Sequence, residues 1–93
     1  MRDDDYEWDD AKAAGNRRKH HVSFETARMV FDDAMALDQP DLSEDYDEDR
    51  YIILGMVGEE LLSVAYTERD GRYRISSARP ATRQEHHDYD QGS

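Results

Sequence analysis

The chain has no cysteine. Neither a disulfide framework nor thiolate chemistry is open to it, which fits a reducing cytoplasm. It has no long apolar run, so no segment reads as a membrane span. The opening Met1-Arg2-Asp3-Asp4-Asp5 lacks the basic and apolar regions of a signal peptide. There is no phosphate-binding glycine loop and no Gly-x-Ser-x-Gly nucleophile. The histidine pairs His20-His21 and His86-His87 lack metal-ligand spacing, so no metal and no cofactor is expected. No internal repeat is present. Ninety-three residues with 37% hydrophobic content suffice for one thin core and leave little stability to spare.

Bases are scarce. The net charge of −11 argues against direct binding of duplex DNA, whose affinity comes from neutralised phosphates. The charges are segregated, however. Residues 11–24 hold Lys12, Arg17, Arg18 and Lys19 and no acid. Residues 69–84 hold Arg69, Arg72, Arg74, Arg79 and Arg83 against Asp70 alone. Residues 32–49 hold nine acids and no base. The fold could therefore carry a basic face inside an acidic shell. The plainer reading is a surface charged for solubility.

One domain is expected over residues 6–90, with tails at 1–5 and 91–93. Tyr6 to Trp8 reads as a short edge strand. Asp9 is an N-cap for a helix ending near His20, and Ser23 caps a second. Phe24, Ala27, Val30, Phe31 and Ala34 follow helical periodicity and read as core. Pro40 and the acidic run Asp41 to Asp49 read as a loop, and the segment from Asp38 to Asp49 is expected to be mobile and dispensable for folding. Arg50–Val57, Leu61–Arg69 and Arg72–Arg79 read as strands, the last two joined by an Asp70-Gly71 hairpin turn. Thr82 and Glu85 form a capping box for a short last helix through Tyr89. In the middle strand, Leu62, Val64 and Tyr66 share one face, and Ser63, Ala65, Thr67 and Arg69 the other. This predicts an α+β fold: a small sheet covered on one face by two N-terminal helices, with a short C-terminal helix.

Two blocks carry more than composition does. The first runs Glu7-Trp8-Asp9, Lys12, Asn16, Lys19-His20, Val22-Ser23-Phe24, Ala27. The second runs Thr67-Glu68-Arg69, then Arg74-Ile75, Ser77-Ala78-Arg79, Ala81-Thr82, Glu85 and Tyr89. Phe31-Asp32, Arg50 and Gly55 lie between them. In order and spacing they resemble the BrnT family, the toxin half of type II toxin–antitoxin pairs, over residues 7–89. The resemblance implies a compact antiparallel sheet with helices, similar to the RelE-like ribonuclease toxins. It implies a cytoplasmic ribonuclease that inhibits translation and is neutralised by a BrnA-like ribbon-helix-helix antitoxin. Operator DNA would be bound only through the antitoxin complex. His21 departs from the pattern, where glycine is usual; a left-handed helix cap there would strain a histidine.

Cleaving RNA without a metal requires a proton taken from the 2′-hydroxyl, a proton given to the leaving 5′-oxygen, and stabilisation of phosphorane charge. Trp8, Lys12, Asn16, Lys19 and His20 fall on one side of the first helix. His20 is the proton-transfer candidate, because histidine titrates near neutrality. Lys19, Arg50, Arg69, Arg74 and Arg79 are the phosphate candidates, since a guanidinium fork suits two oxygens. Cations at a helix C-terminus also satisfy the macrodipole without any chemistry. Arg74 and Arg79 have opposite parity on one strand; unless a bulge intervenes they face opposite sides, and one is then structural, pairing with Glu68 or Glu85. Glu85 reads as a cap and Tyr89 as a packing aromatic. The competing class is a non-catalytic interaction module that keeps the toxin fold.

Overall fold

The computed structural model describes residues 1–43 and 48–92. Strand β1 (Tyr6–Glu7) leads into helix α1 (Asp10–His20), a short helix α2 (Phe24–Ala27) and a 3-10 turn over Arg28–Asp32. Strands β2 (Leu37–Pro40), β3 (Tyr51–Val57), β4 (Glu60–Arg69) and β5 (Arg72–Pro80) follow, then helix α3 (Arg83–Gln91). The sheet order is β1-β5-β4-β3-β2. It is mixed: β1 runs parallel to β5, and the other pairs are antiparallel.

The local signals act as physical chemistry requires. Asp9 accepts from the Ala11 N–H and opens α1. Ser23 accepts from the Thr26 N–H and opens α2. At Thr82 the capping box closes in both directions with Glu85. Asp70 and Gly71 both have positive φ, the condition for a two-residue turn matched to strand twist. His21 sits in the left-handed region at φ 60° and donates to the Arg17 carbonyl, so it does occupy the position where a glycine would be unstrained.

The core lies on the sheet face covered by α2 and the 3-10 turn. Phe24, Ala27, Val30, Leu62, Val64 and Ala78 are fully buried. Trp8 meets Phe24 edge-on at 5.8 Å. The helical stripe expected from Phe24 to Ala34 is shorter than its periodicity suggested. It tightens into 3-10 geometry after Ala27, which turns Phe31 to stack on Tyr73 at 4.3 Å. Gly55 lies beneath this crossing, where a Cβ would stand 3.0 Å from the Val30 carbonyl oxygen.

The acidic segment needs a correction. Leu37–Pro40 is a strand rather than the start of a loop: it pairs with β3, and Asp38 accepts from the Tyr66 hydroxyl at 2.6 Å. At Asp41 the N–H donates to the Arg50 carbonyl. The rest of the expected loop includes residues 44–47, which lie outside the described residues. Residues 1–5, expected as a tail, fold back: the Trp8 N–H donates to the Met1 carbonyl, and Asp3 caps the Asp5 and Tyr6 amides. No described helix is long and apolar enough to cross a membrane.

Candidate functional site

Asn16 anchors α1 to the sheet. It is buried in the helix and turns to the free edge of β5, beyond the reach of the two-residue β1. Its Nδ2 donates to the carbonyls of Ala78 (2.8 Å) and Val22 (3.0 Å), and its Oδ1 accepts from the Ala78 N–H (3.0 Å). The side-chain amide thus completes the edge as another strand's peptide group would. This fixes α1 alongside β5 and brings Lys12, one turn earlier, over the sheet.

A bulge in β5 sets what Lys12 meets. Ala65 pairs with Ser77, but Tyr66 pairs with Ile75, so Ser76 is the extra residue and its hydroxyl donates to the Ala65 carbonyl. The slip reverses the side-chain parity of β5. Arg74 stands opposite Thr67 and Arg79 opposite Ser63, so both arginines start from the same sheet face. Strand alternation alone would put Arg74 and Arg79 on opposite faces; the bulge is what brings them to one.

They nevertheless end in different places. Arg79 forks onto Glu85 of α3, with Nη1–Oε1 at 2.7 Å and Nη2–Oε2 at 3.1 Å. Burial raises the Glu85 carboxyl, but the Arg79 fork and the Thr82 N–H outweigh it and hold it below the usual range. Arg79 is raised in turn, chiefly by that hydrogen bond. Arg74 lines a cleft of about 340 Å³ with Lys12, Glu48, Arg50, Thr67, Arg69, Ile75 and Ser76.

Four cations from four separate elements or their ends thus converge: Lys12 of α1, Arg50 before β3, Arg69 of β4 and Arg74 of β5. Each arginine is held by a carboxylate. Arg74 is 3.5 Å from Glu7, Arg50 is 3.6 Å from Asp41, and Arg69 is 2.8 Å from Glu48. Such partners fix the guanidinium forks at the cost of local positive charge. Lys12 is exposed and has no ion-pair partner among the described residues. Four cations against the three carboxylates Glu7, Asp41 and Glu48 leave the cleft an excess of one positive charge, carried by Lys12, in a chain of net charge −11. Such an arrangement suits a phosphodiester, which offers two anionic oxygens to paired forks.

Of the residues singled out in the sequence, Arg50, Arg69 and Arg74 meet in this cleft. His20 and Lys19 do not line it. They lie two turns on from Lys12, where Lys19 is exposed and His20 half-buried. Glu48, Thr67 and Ser76 join the cleft although none stood out in the sequence as a site residue, and Lys12 joins it from the stripe on α1. The alternation of β4 pointed to Thr67, whereas Glu48 is hidden in an aperiodic acidic run. Among the described residues, no group of three or more His, Asp or Glu side chains is arranged to hold a metal ion.

The family model for the BrnT ribonuclease toxin of type II toxin–antitoxin systems matches residues 8–85. The chain belongs to the BrnT toxin family. Its two sequence blocks fall almost wholly inside this match, and they supply α1, the bulged β5 and every cleft arginine except Arg50, which lies between them. Membership makes it a ribonuclease toxin with an antitoxin partner. No curated protein matches the chain.

Proposed function

We propose that this BrnT-family chain is an endoribonuclease that cuts RNA in the cleft between α1 and the sheet, without a metal ion. The observation that supports this is the convergence of Lys12, Arg50, Arg69 and Arg74 on one small cleft. In this reading Arg50 and Arg74 clamp the non-bridging oxygens of the scissile phosphate, and Arg69 adds charge as the phosphorane forms. Glu48, the one lining carboxylate, takes the 2′-hydroxyl proton. The 2′-oxygen attacks phosphorus as the bond to the 5′-oxygen breaks. Lys12 gives that oxygen a proton, leaving a 2′,3′-cyclic phosphate and a 5′-hydroxyl.

His20 has no proton-transfer role in this reading. Eight residues of helix separate it from Lys12, roughly 12 Å along the axis. Lys19 contributes to substrate binding only, and Arg79 positions α3 through Glu85. The cellular role is inhibition of translation in the cytoplasm, relieved by a BrnA-like ribbon-helix-helix antitoxin that carries the pair to operator DNA.

The deciding test is cleavage of RNA by the purified chain with chelator present. Arg74→Ala should cost about 100-fold or more, with circular dichroism unchanged. Full activity in that variant would move the site elsewhere. The carboxylates on the cleft arginines favour a second reading, a binding module with its charge largely neutralised. No cleavage by the folded wild type, either with chelator or with added divalent cation, would favour that one instead.

A further inference from the structure

We infer that α1 carries the RNA backbone away from the cleft along a row formed by Lys12, Gly15, Arg18 and Lys19. The inference rests on the ribonuclease reading and extends it to the substrate's path. Lys12 and Lys19 are seven residues apart, two turns, so they share one side of the helix about 10 Å apart along its axis. Gly15 lies between them and leaves the helix surface as a shallow saddle. A Cβ there would stand 3.9 Å from Nη2 of Arg18, so the long Arg18 side chain folds back over Gly15, toward the cleft end.

Arg18 and Lys19 are exposed, and neither has an ion pair among the described residues. This sets them apart from the cleft arginines, each of which has its carboxylate. The macrodipole accounts for cations in the last turn of α1. It does not account for the alignment of Lys19 with Lys12, for the Arg18 head folding back over Gly15, or for the lack of any acid over residues 11–24 in so acidic a chain. A polyanion seated on Arg50 and Arg74 and leaving past Lys12 meets these two unneutralised charges next. The row has no base-reading groups, so it takes sugar-phosphate backbone regardless of sequence.

Arg17 supplies the control. It carries the same charge in the same turn and leaves the helix about 140° around from Lys12; Arg18 leaves it about 120° around in the other direction, but only Arg18 reaches back over Gly15. The probe is a single-stranded 2′-O-methyl oligoribonucleotide long enough to span cleft and helix, which cannot be cut. Its affinity is measured against salt concentration. Each phosphate deprived of its cation should flatten the log–log slope by about 0.7, so Arg18→Gln with Lys19→Gln should flatten it by about 1.4. Arg17→Gln should leave the slope at the wild-type value. An unchanged slope in the double variant, or equal flattening by Arg17→Gln, would overturn the row while leaving cleft cleavage standing. Loss of antitoxin affinity with RNA binding intact would overturn it too, assigning the row to the protein partner. If the folded wild type neither binds nor cuts RNA, it is the ribonuclease reading that fails.

Discussion

Replacing Asn16 tests how α1 is held over the cleft. Asn16→Ala removes three buried hydrogen bonds and strands the Ala78 N–H, the Ala78 carbonyl and the Val22 carbonyl. At about 1 kcal/mol per bond, with a further penalty for stranded buried groups, the loss is about 3–4 kcal/mol. The better helix propensity of alanine returns about 0.5 kcal/mol. The net, about 3 kcal/mol, is a large part of the roughly 5–14 kcal/mol expected for a chain of this length. It should lower the melting temperature by roughly 12–24 °C. Asn16→Asp is sharper. Its carboxylate can still accept from the Ala78 N–H but faces two carbonyl oxygens that had received donors. Its folded pKa should therefore rise above the ordinary aspartate value of about 3.9. Between those values the folded state holds a proton that the unfolded state has lost, so the variant should lose stability as pH rises. Urea melts of wild type and both variants at pH 4.5 and pH 7 would measure this. A loss below about 1 kcal/mol for Asn16→Ala at unchanged m-value would refute the edge-completing role. So would an Asn16→Asp variant that shows no extra loss between the two pH values.

His21→Gly should raise stability by about 1 kcal/mol, since glycine removes the left-handed strain at φ 60°; thermal melts at fixed pH check it, and a decrease would contradict the strain. Gly55→Ala should cost about 1–3 kcal/mol in the same melts, because its Cβ would crowd Val30 from both the carbonyl and the side chain. Glu85 sits below the usual carboxylate range when folded, so its contribution is present above its ordinary pKa and is lost as pH falls through the folded value. Glu85→Gln should flatten the acid limb of the stability curve, as read by denaturant melts across pH 3–6.

How much of this was legible depends on how local each signal was. Asp9, Ser23 and Thr82 each cap with their own neighbours, so the sequence marked three helix starts without tertiary help. The Asp70-Gly71 turn was legible for the same reason. Strand β2 was not: Leu37-Asp38-Gln39-Pro40 offers one clearly apolar residue and a proline, and only pairing with β3 makes it a strand. The β5 bulge was equally silent. Nothing in Ser76-Ser77 says that one serine drops out of register, yet that slip decides whether Arg74 and Arg79 share a face. The stripe on α1 was legible as a side of the helix, but its residues have separate uses. Asn16 is turned to the sheet edge, Lys12 to the cleft, and Lys19 to solvent. Helical spacing gives direction, and it cannot say what the side chain meets.

The acidic composition bears on function chiefly where it touches the cleft. Screening at physiological salt reaches only ~8 Å, so remote acids weaken phosphate binding little. The acids that matter are Glu7, Asp41 and Glu48, which touch the cleft arginines. Two are anchored to the sheet: Glu7 pairs with Arg74 in register, and the Asp41 N–H bonds the Arg50 carbonyl. Glu48 instead is held by a side chain, accepting from Nη2 of Arg69 at 2.8 Å. Neutralising each should therefore act differently. Glu7→Gln should tighten RNA binding and loosen Arg74, raising affinity while lowering the cleavage rate, because a fork without its partner loses its fixed geometry. Glu48→Gln should also tighten binding, but it should abolish most cleavage if that carboxylate takes the 2′-hydroxyl proton, a loss of about 100-fold or more. Single-turnover cleavage alongside equilibrium binding separates the two effects. Equal behaviour of the two variants would reduce Glu48 to a charge partner of Arg69 and leave the proton acceptor to be sought outside the cleft.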